Sequence, residues 1–240
     1  TLTFAEGVEE ISSNMMVSGC SALTTIILPD SLRTISGPGA FSDAAGLTNI
    51  TLPEGIAITE GSLFSDCTAL EEIHLPASVT EIRSSMFEGC TSLKKVSAAS
   101  PITAIGTKAF SGCTSLTEIP DLGQLTEIES YVFKNCNLLA GPLDLSHVTK
   151  VGYSSFDACY SLTGELDLTN LTEIPNYAFR FVGYWADGIS LKFGPTLTSI
   201  GSQAFSYAPI QSLELPGSLT SIGSSAFNQC AFLTGTVAIP

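Results

Sequence analysis

The chain has 240 residues and 25.1 kDa, with 44% hydrophobic and 13% charged residues and a mean hydropathy of +0.34. No apolar run approaches the roughly 18 residues that span a bilayer, so the sequence predicts a soluble segment without membrane insertion. Nine Lys and Arg against 23 Asp and Glu give a net charge of −14, which repels a phosphate backbone, disfavours nucleic acid and leaves basic partners or cations as the electrostatically permitted ones.

Reading from the N-terminus, Leu2, Phe4, Val8 and Ile11 open an apolar pattern that then recurs to the end, with Val17 in the place later taken by phenylalanine. The anchors Phe41, Phe64, Phe87, Phe110, Phe133, Phe156 and Phe179 each follow the last by 23 residues, and Phe205 and Phe227 come after one longer and one shorter step. Self-similarity at this period predicts a stack of about ten short coils whose apolar sides fuse into one core, a single domain over residues 1–240 without a linker.

Each coil begins with an alternating segment, as at Ile26-Ile27-Leu28, Ile50-Thr51-Leu52, Ile73-His74-Leu75 and Leu213-Glu214-Leu215. Period-2 alternation predicts a strand, and stacked strands predict a parallel sheet. Pro29, Pro53, Pro76 and Pro216 end these strands, because proline cannot donate the next ladder hydrogen bond. A second extended piece follows, at 79–82, 102–105, 125–128, 148–151, 171–174, 197–200 and 219–222. Gly106, Gly152, Gly201 and Gly223 come directly after it and are expected to permit a tight bend into a helical turn that carries the phenylalanine. The predicted coil therefore holds two short parallel strands and a turn of helix.

The 26-residue step after Phe179 passes through an insertion, Val182-Gly183-Tyr184-Trp185-Ala186-Asp187-Gly188. Trp185 stands six residues after its anchor, as Leu139 and Leu162 do, so it is expected to fill the core, whereas Phe181 and Tyr184 are expected to be exposed and to offer a partner an aromatic anchor. At the C-terminus Leu233, Val237 and Ile239 are expected to form the first strand of a coil that is not completed, as in a fragment of a longer chain.

All seven cysteines, Cys20, Cys67, Cys90, Cys113, Cys136, Cys159 and Cys230, follow their anchor by three residues. None has the close pairing of a zinc site, and side chains stacked in register about 4.8 Å apart point the same way and miss disulfide geometry. Ala44, Val182 and Ala208 occupy the same slot in other coils, so the cysteines are expected to be buried free thiols, with no metal or other cofactor.

The slots Leu213-Glu214-Leu215-Pro216, Leu219-Thr220-Ser221-Ile222-Gly223 and Ala226-Phe227-Asn228-Gln229-Cys230 resemble the BspA-like leucine-rich repeats, also called the Treponema pallidum type, and the likeness extends over essentially the whole chain. The resemblance implies a leucine-rich-repeat solenoid, a curved right-handed array, on a secreted or surface-attached protein. It also implies adhesion to host extracellular proteins or attachment between cells, with a protein as ligand, and it carries no catalytic motif.

By analogy with leucine-rich solenoids, the outward positions of the first strand are the candidate recognition face: Glu72, His74, Lys95, Asp144, Glu165, Asp167, Lys192 and Glu214. Asp144 and Asp167 occupy equivalent places in adjacent coils, where like charges cost stability unless a basic group or a cation relieves them. A basic protein surface or calcium is the specific reading of this row, and a solvated acidic face the bland one. Beside it, Thr80, Thr103, Thr126, Thr149, Thr172, Thr198 and Thr220, with Glu127, Lys150 and Glu173 alternating in sign, read as structural rows. His74 and His147 differ in slot, and no G-x-S-x-G, P-loop or dinucleotide segment is present, so the chain reads as non-catalytic. A structural stalk that presents another domain is the competing role.

Overall fold

The computed structural model describes residues 1–233, so Val237 and Ile239 of the expected last strand lie outside the described residues. The chain divides into two compact units, Thr1–Leu122 and Gly123–Pro240. In the first, each coil supplies two strands: β1 (Leu2–Thr3) and β2 (Glu10–Ile11), β3 (Thr25–Ile27) and β4 (Thr34–Ile35), β5 (Asn49–Ile50) and β6 (Ala57–Ile58), β7 (Glu72–Leu75) and β8 (Glu81–Ile82), β9 (Lys95–Ala98) and β10 (Ala104–Ile105). In the second come β11 (Glu127–Ile128), β12 (Lys150–Val151), β13 (Gly164–Leu168), β14 (Glu173–Ile174), β15 (Ile189–Phe193), β16 (Ser199–Ile200) and β17 (Ser221–Ile222).

Every pairing between these strands is parallel and joins like to like: β1-β3-β5 and β7-β9 among first strands, β2-β4-β6 and β8-β10 among second strands of the first unit. In the second unit β13 pairs β15, β11 pairs β12, and β14-β16-β17 form a row. Side chains alternate as the period-2 pattern requires, with Ile73 and Leu75 buried between exposed Glu72 and His74. The threonine row clips the coils together: Thr103 donates both its N–H (2.8 Å) and its Oγ1 (3.2 Å) to the carbonyl of Thr80.

The anchors form the axis of each core. Phe64 and Phe87 stack at 5.8 Å, and Phe87 and Phe110 at 5.5 Å. In the second unit Phe156 meets Phe179 at 5.3 Å, and Phe179 meets Phe205 at 5.4 Å. All of these rings are fully buried, and such offset stacking adds to the stabilisation from area burial alone.

No helix forms among the described residues, which corrects the predicted helical turn. The segment around each anchor is a run of turns, because residues two before and two after the ring take left-handed backbone: Ser62 (φ 60°) and Asp66 (φ 58°) flank Phe64, and Tyr177 (φ 60°) and Phe181 (φ 58°) flank Phe179. A right-handed helix cannot continue through such residues. The conformation turns alternate N–H groups toward the following coil, so Ser62, Phe64 and Asp66 donate to the carbonyls of Ser84, Met86 and Glu88 at 2.9, 2.9 and 2.7 Å. Ser65 and Cys67, between and after them, donate within their own coil to Ser62 and Phe64. Within each unit successive coils thereby gain a third ladder, satisfying backbone groups that burial would otherwise orphan.

Two further expectations change. Gly106 does not have a left-handed φ; a Cβ there would stand 2.5 Å from the backbone nitrogen of Ser84, so the glycine answers close approach of the preceding coil and not a tight bend. The strand expected at 213–215 does not form, since β15 meets the following coil only at an isolated bridge between Ile189 and Ile210, at the short repeat step.

The buried cysteines do more than fill space. Cys67, Cys90, Cys113 and Cys159 each donate the thiol to the carbonyl of the anchor in the preceding coil, at 3.0–3.1 Å. All seven are free thiols, but the expected burial holds for five: Cys20 is exposed and Cys230 half-buried, in the first and last of the coils that carry this slot.

Candidate functional site

In the first unit the outward row runs along β7 and β9, where Glu72 faces Lys95 and His74 faces Ser97 in register. His74 Nδ1 lies 2.9 Å from Ser97 Oγ. Lys95 is held by Glu118 at 2.6 Å, and that hydrogen bond together with the carboxylate charge lifts its pKa above the ordinary lysine range. Glu72 remains exposed beside it.

The second unit carries the longer outward row. On β13, Glu165 and Asp167 alternate with buried Leu166 and Leu168, and they face Ser190 and Lys192 of β15. Lys192 Nζ reaches Asp167 Oδ2 at 2.6 Å, while Asp167 Oδ1 accepts from Thr169 N and Oγ1 at 3.1 and 2.7 Å. The Lys192 and Thr169 hydrogen bonds hold the Asp167 carboxyl below its usual pKa. Asp144 Oδ1 accepts from Ser146 Oγ at 2.6 Å and Ser146 N at 2.9 Å, which lowers its pKa against the opposing charge of Asp167. The like-charge row is therefore relieved from within the chain. Among the described residues no group of three or more His, Cys, Asp and Glu is placed to hold a metal ion. Glu214 is exposed and lies outside any strand.

The insertion builds a different surface. Phe156 and Phe179 align 23 residues apart, but Gly183 donates to Cys159 O and Trp185 to Tyr160 O, offsets of 24 and 25. Two of the three extra residues are taken up before Trp185, so its N–H meets the carbonyl of half-buried Tyr160 and the residue does not fall on buried Leu162; the third is taken up between β15 and β16, where the offset reaches 26. Trp185 is 58% exposed, which overturns the expected core role, and Tyr184 is 53% exposed as expected. Phe181, expected to be exposed, is instead half-buried, because its ring stacks on Tyr207 with centroids 4.5 Å apart and planes 14° apart. Tyr160 joins the group, 4.7 Å from Trp185, 6.2 Å from Tyr184 and 6.0 Å from Phe181. Sequence reading missed Tyr160 and Tyr207; the signal was that Phe181 and Tyr207 each stand two residues after their anchors.

Beside this surface lies an ion pair whose carboxylate is buried and whose guanidinium is half-buried. Asp157, 1% exposed, accepts from Arg180 Nε and Nη2 at 2.9 and 2.8 Å, and the guanidinium lies over the rings of Tyr177 (4.8 Å) and Phe181 (5.5 Å).

The model of the BspA-type leucine-rich repeat region matches residues 9–140 and 149–238, in six copies. Among solved structures, a leucine-rich repeat protein of T. pallidum is 28% identical with a TM-score of 0.56, over 68% of this chain and 78% of that one. A leucine-rich cell surface protein from Faecalibacterium prausnitzii A2-165 is 23% identical with a TM-score of 0.51, over 95% and 76%. A leucine-rich repeat protein from Eubacterium ventriosum shares the fold at 15% identity, with a TM-score of 0.53, over 95% and 82%. No curated protein matches the chain significantly.

Proposed function

The chain belongs to the BspA-type leucine-rich repeat family, and on that premise we propose that it is a non-catalytic protein-binding module, extracellular or on a cell surface, serving adhesion to host or neighbouring-cell proteins. The recognition face is the outward row of the second unit, centred on Glu165 and Asp167 of β13 and Lys192 of β15, with Asp144 and Glu214 contributing charge. One observation carries this reading: β13 and β15 pair over five residues in register, which sets polar side chains on a parallel platform while Leu166 and Leu168 of β13 are buried beneath it. Lys192 answers Asp167, but Asp144, Glu165 and Glu214 have no ion-pair partner among the described residues, so the face carries surplus negative charge suited to a basic protein surface. The cell-surface description of the Faecalibacterium relative supports the compartment.

The test is a pull-down of extracellular matrix proteins and mucin by the full chain and by a variant carrying Asp144→Lys, Asp167→Lys and Glu214→Lys, each checked for an unchanged thermal transition. Retention of a matrix protein is expected to fall about tenfold or more on charge reversal, in line with a few charge pairs of about 1 kcal/mol or less each. Equal retention by both chains would remove this face as the binding surface.

A further inference from the structure

Five rings of the second unit, Tyr160, Phe181, Tyr184, Trp185 and Tyr207, form one connected surface, each ring within 6.5 Å of another. Two of them are more than half exposed, and a contiguous aromatic patch on a water-facing surface marks a contact site. The backbone beneath it is held in an unfavourable conformation. The position two residues after the anchor is left-handed in every coil, and elsewhere it is often filled by residues that tolerate this, Asp43, Asp66, Gly89, Gly112 and Asn135. Phe181 (φ 58°) and Tyr207 (φ 64°) place bulky rings there in consecutive coils and stack them face to face. Strain of this kind is retained where the side chain has work beyond the fold.

Charge states what the rings fit. All four basic side chains of the second unit are already engaged: Lys150 with Glu127, Lys192 with Asp167, Arg180 with Asp157, and Lys134 over the ring of Tyr131 at 5.4 Å. Asp187, in the same loop as Tyr184 and Trp185, is exposed with no ion-pair partner among the described residues. Ring faces are negative, and the chain itself shows the mode of contact, since the Arg180 guanidinium lies over Tyr177 and Phe181. Arginine suits such a site better than lysine because its planar, weakly hydrated head stacks on rings.

We propose that the surface of Tyr160, Phe181, Tyr184, Trp185 and Tyr207 is a docking site for an arginine-bearing segment of a partner protein, its guanidinium groups lying over the exposed rings. The site shares no residue with the β13–β15 face, and its argument does not rest on that face.

Trp185 is the only tryptophan of the chain, so its emission reports on this surface alone. The full chain is titrated with a synthetic peptide of alternating glycine and arginine carrying three arginines, and with its citrulline counterpart, which keeps the shape and removes the charge. The arginine peptide is expected to change Trp185 emission saturably. Citrulline, or Tyr184→Ala, is expected to weaken that response about tenfold, while Tyr184→Phe retains it within about twofold. The Asp144→Lys, Asp167→Lys, Glu214→Lys chain is expected to respond as the parent does, which separates failure of this site from failure of the strand face. Equal response to both peptides, indifference to Tyr184→Ala, loss of response in the charge-reversed chain, or a response to a neutral oligosaccharide of N-acetylglucosamine in place of the peptide would each overturn the proposal.

Discussion

The thiol of Cys90 donates a hydrogen bond to the carbonyl oxygen of Phe64, 26 residues earlier, at 3.0 Å. The same oxygen accepts the N–H of Cys67 in its own coil at 3.1 Å, so one buried carbonyl is saturated by a cysteine from each of two coils. This gives the cysteine row a consequence in alkali. Burial pushes the Cys67 thiol from about 9 up to about 12, and it pushes Cys90, Cys113 and Cys159 upward as well. Between these values the folded chain keeps a proton that the unfolded chain has released. Stability is therefore full below pH 9 and falls as pH rises toward 12, by up to about 1.4 kcal/mol per pH unit for each such thiol. Urea midpoints measured from pH 8 to 11 should show this decline, and Cys67→Ala should make it shallower by one thiol's share while lowering the midpoint at pH 8.

Arg180→Ala leaves the carboxylate of Asp157 buried without its counter-charge and should cost about 3 kcal/mol or more. Removing both partners with Asp157→Ala and Arg180→Ala together should cost clearly less than the sum of the single changes. Additive losses in a double-mutant cycle of urea unfolding would contradict a coupled pair.

Two glycines offer a matched contrast. A Cβ on Gly106 would press on the backbone of Ser84, which cannot yield as a side-chain end does, whereas Gly217 has open space around it and an ordinary φ. Gly106→Ala is expected to destabilise by about 2 kcal/mol, and Gly217→Ala to change stability by less than about 0.5 kcal/mol or to raise it slightly. Thermal denaturation of the two variants checks the difference.

Ser155 precedes Phe156 in the slot that holds Ala40, Ala109, Ala178, Ala204 and Ala226 elsewhere, and its Oγ is buried with no hydrogen-bond partner among the described residues. Ser155→Ala should stabilise the chain by about 1 kcal/mol, read as a higher urea midpoint at unchanged slope.

The repeat was legible because the phenylalanine rings and the leucines around them are large and recur every 23 residues from Phe41 to Phe179, and the second strands fell where the Leu-Thr-x-Ile segments put them. The turn ladder was not legible, because Ser62, Lys108 and Gln203 take left-handed backbone (φ 60°, 61° and 53°) without any residue preference that would announce it. Helical periodicity and a run of turns bury the same phenylalanine, so the pattern could not separate them. Trp185 was misread for a different reason. Counting from Phe179 put it in the leucine slot, but counting cannot say where an insertion is absorbed, and here two of its three residues are absorbed before Trp185, beside Tyr160. The acidic row was legible as a row, while its relief by Ser146, Thr169 and Lys192 depends on side-chain reach and not on spacing.

Alternating direction in the turn ladder gives each coil two kinds of amide clock. The N–H of Phe64 is held by Met86 and that of Asp66 by Glu88, so their exchange with deuterium begins when the coil of Phe87 peels away. Ser65 and Cys67 answer to Ser62 and Phe64 of their own coil and should stay silent until that coil itself melts. Interleaved along six residues of backbone, fast and slow amides would thus record from which end the array comes undone.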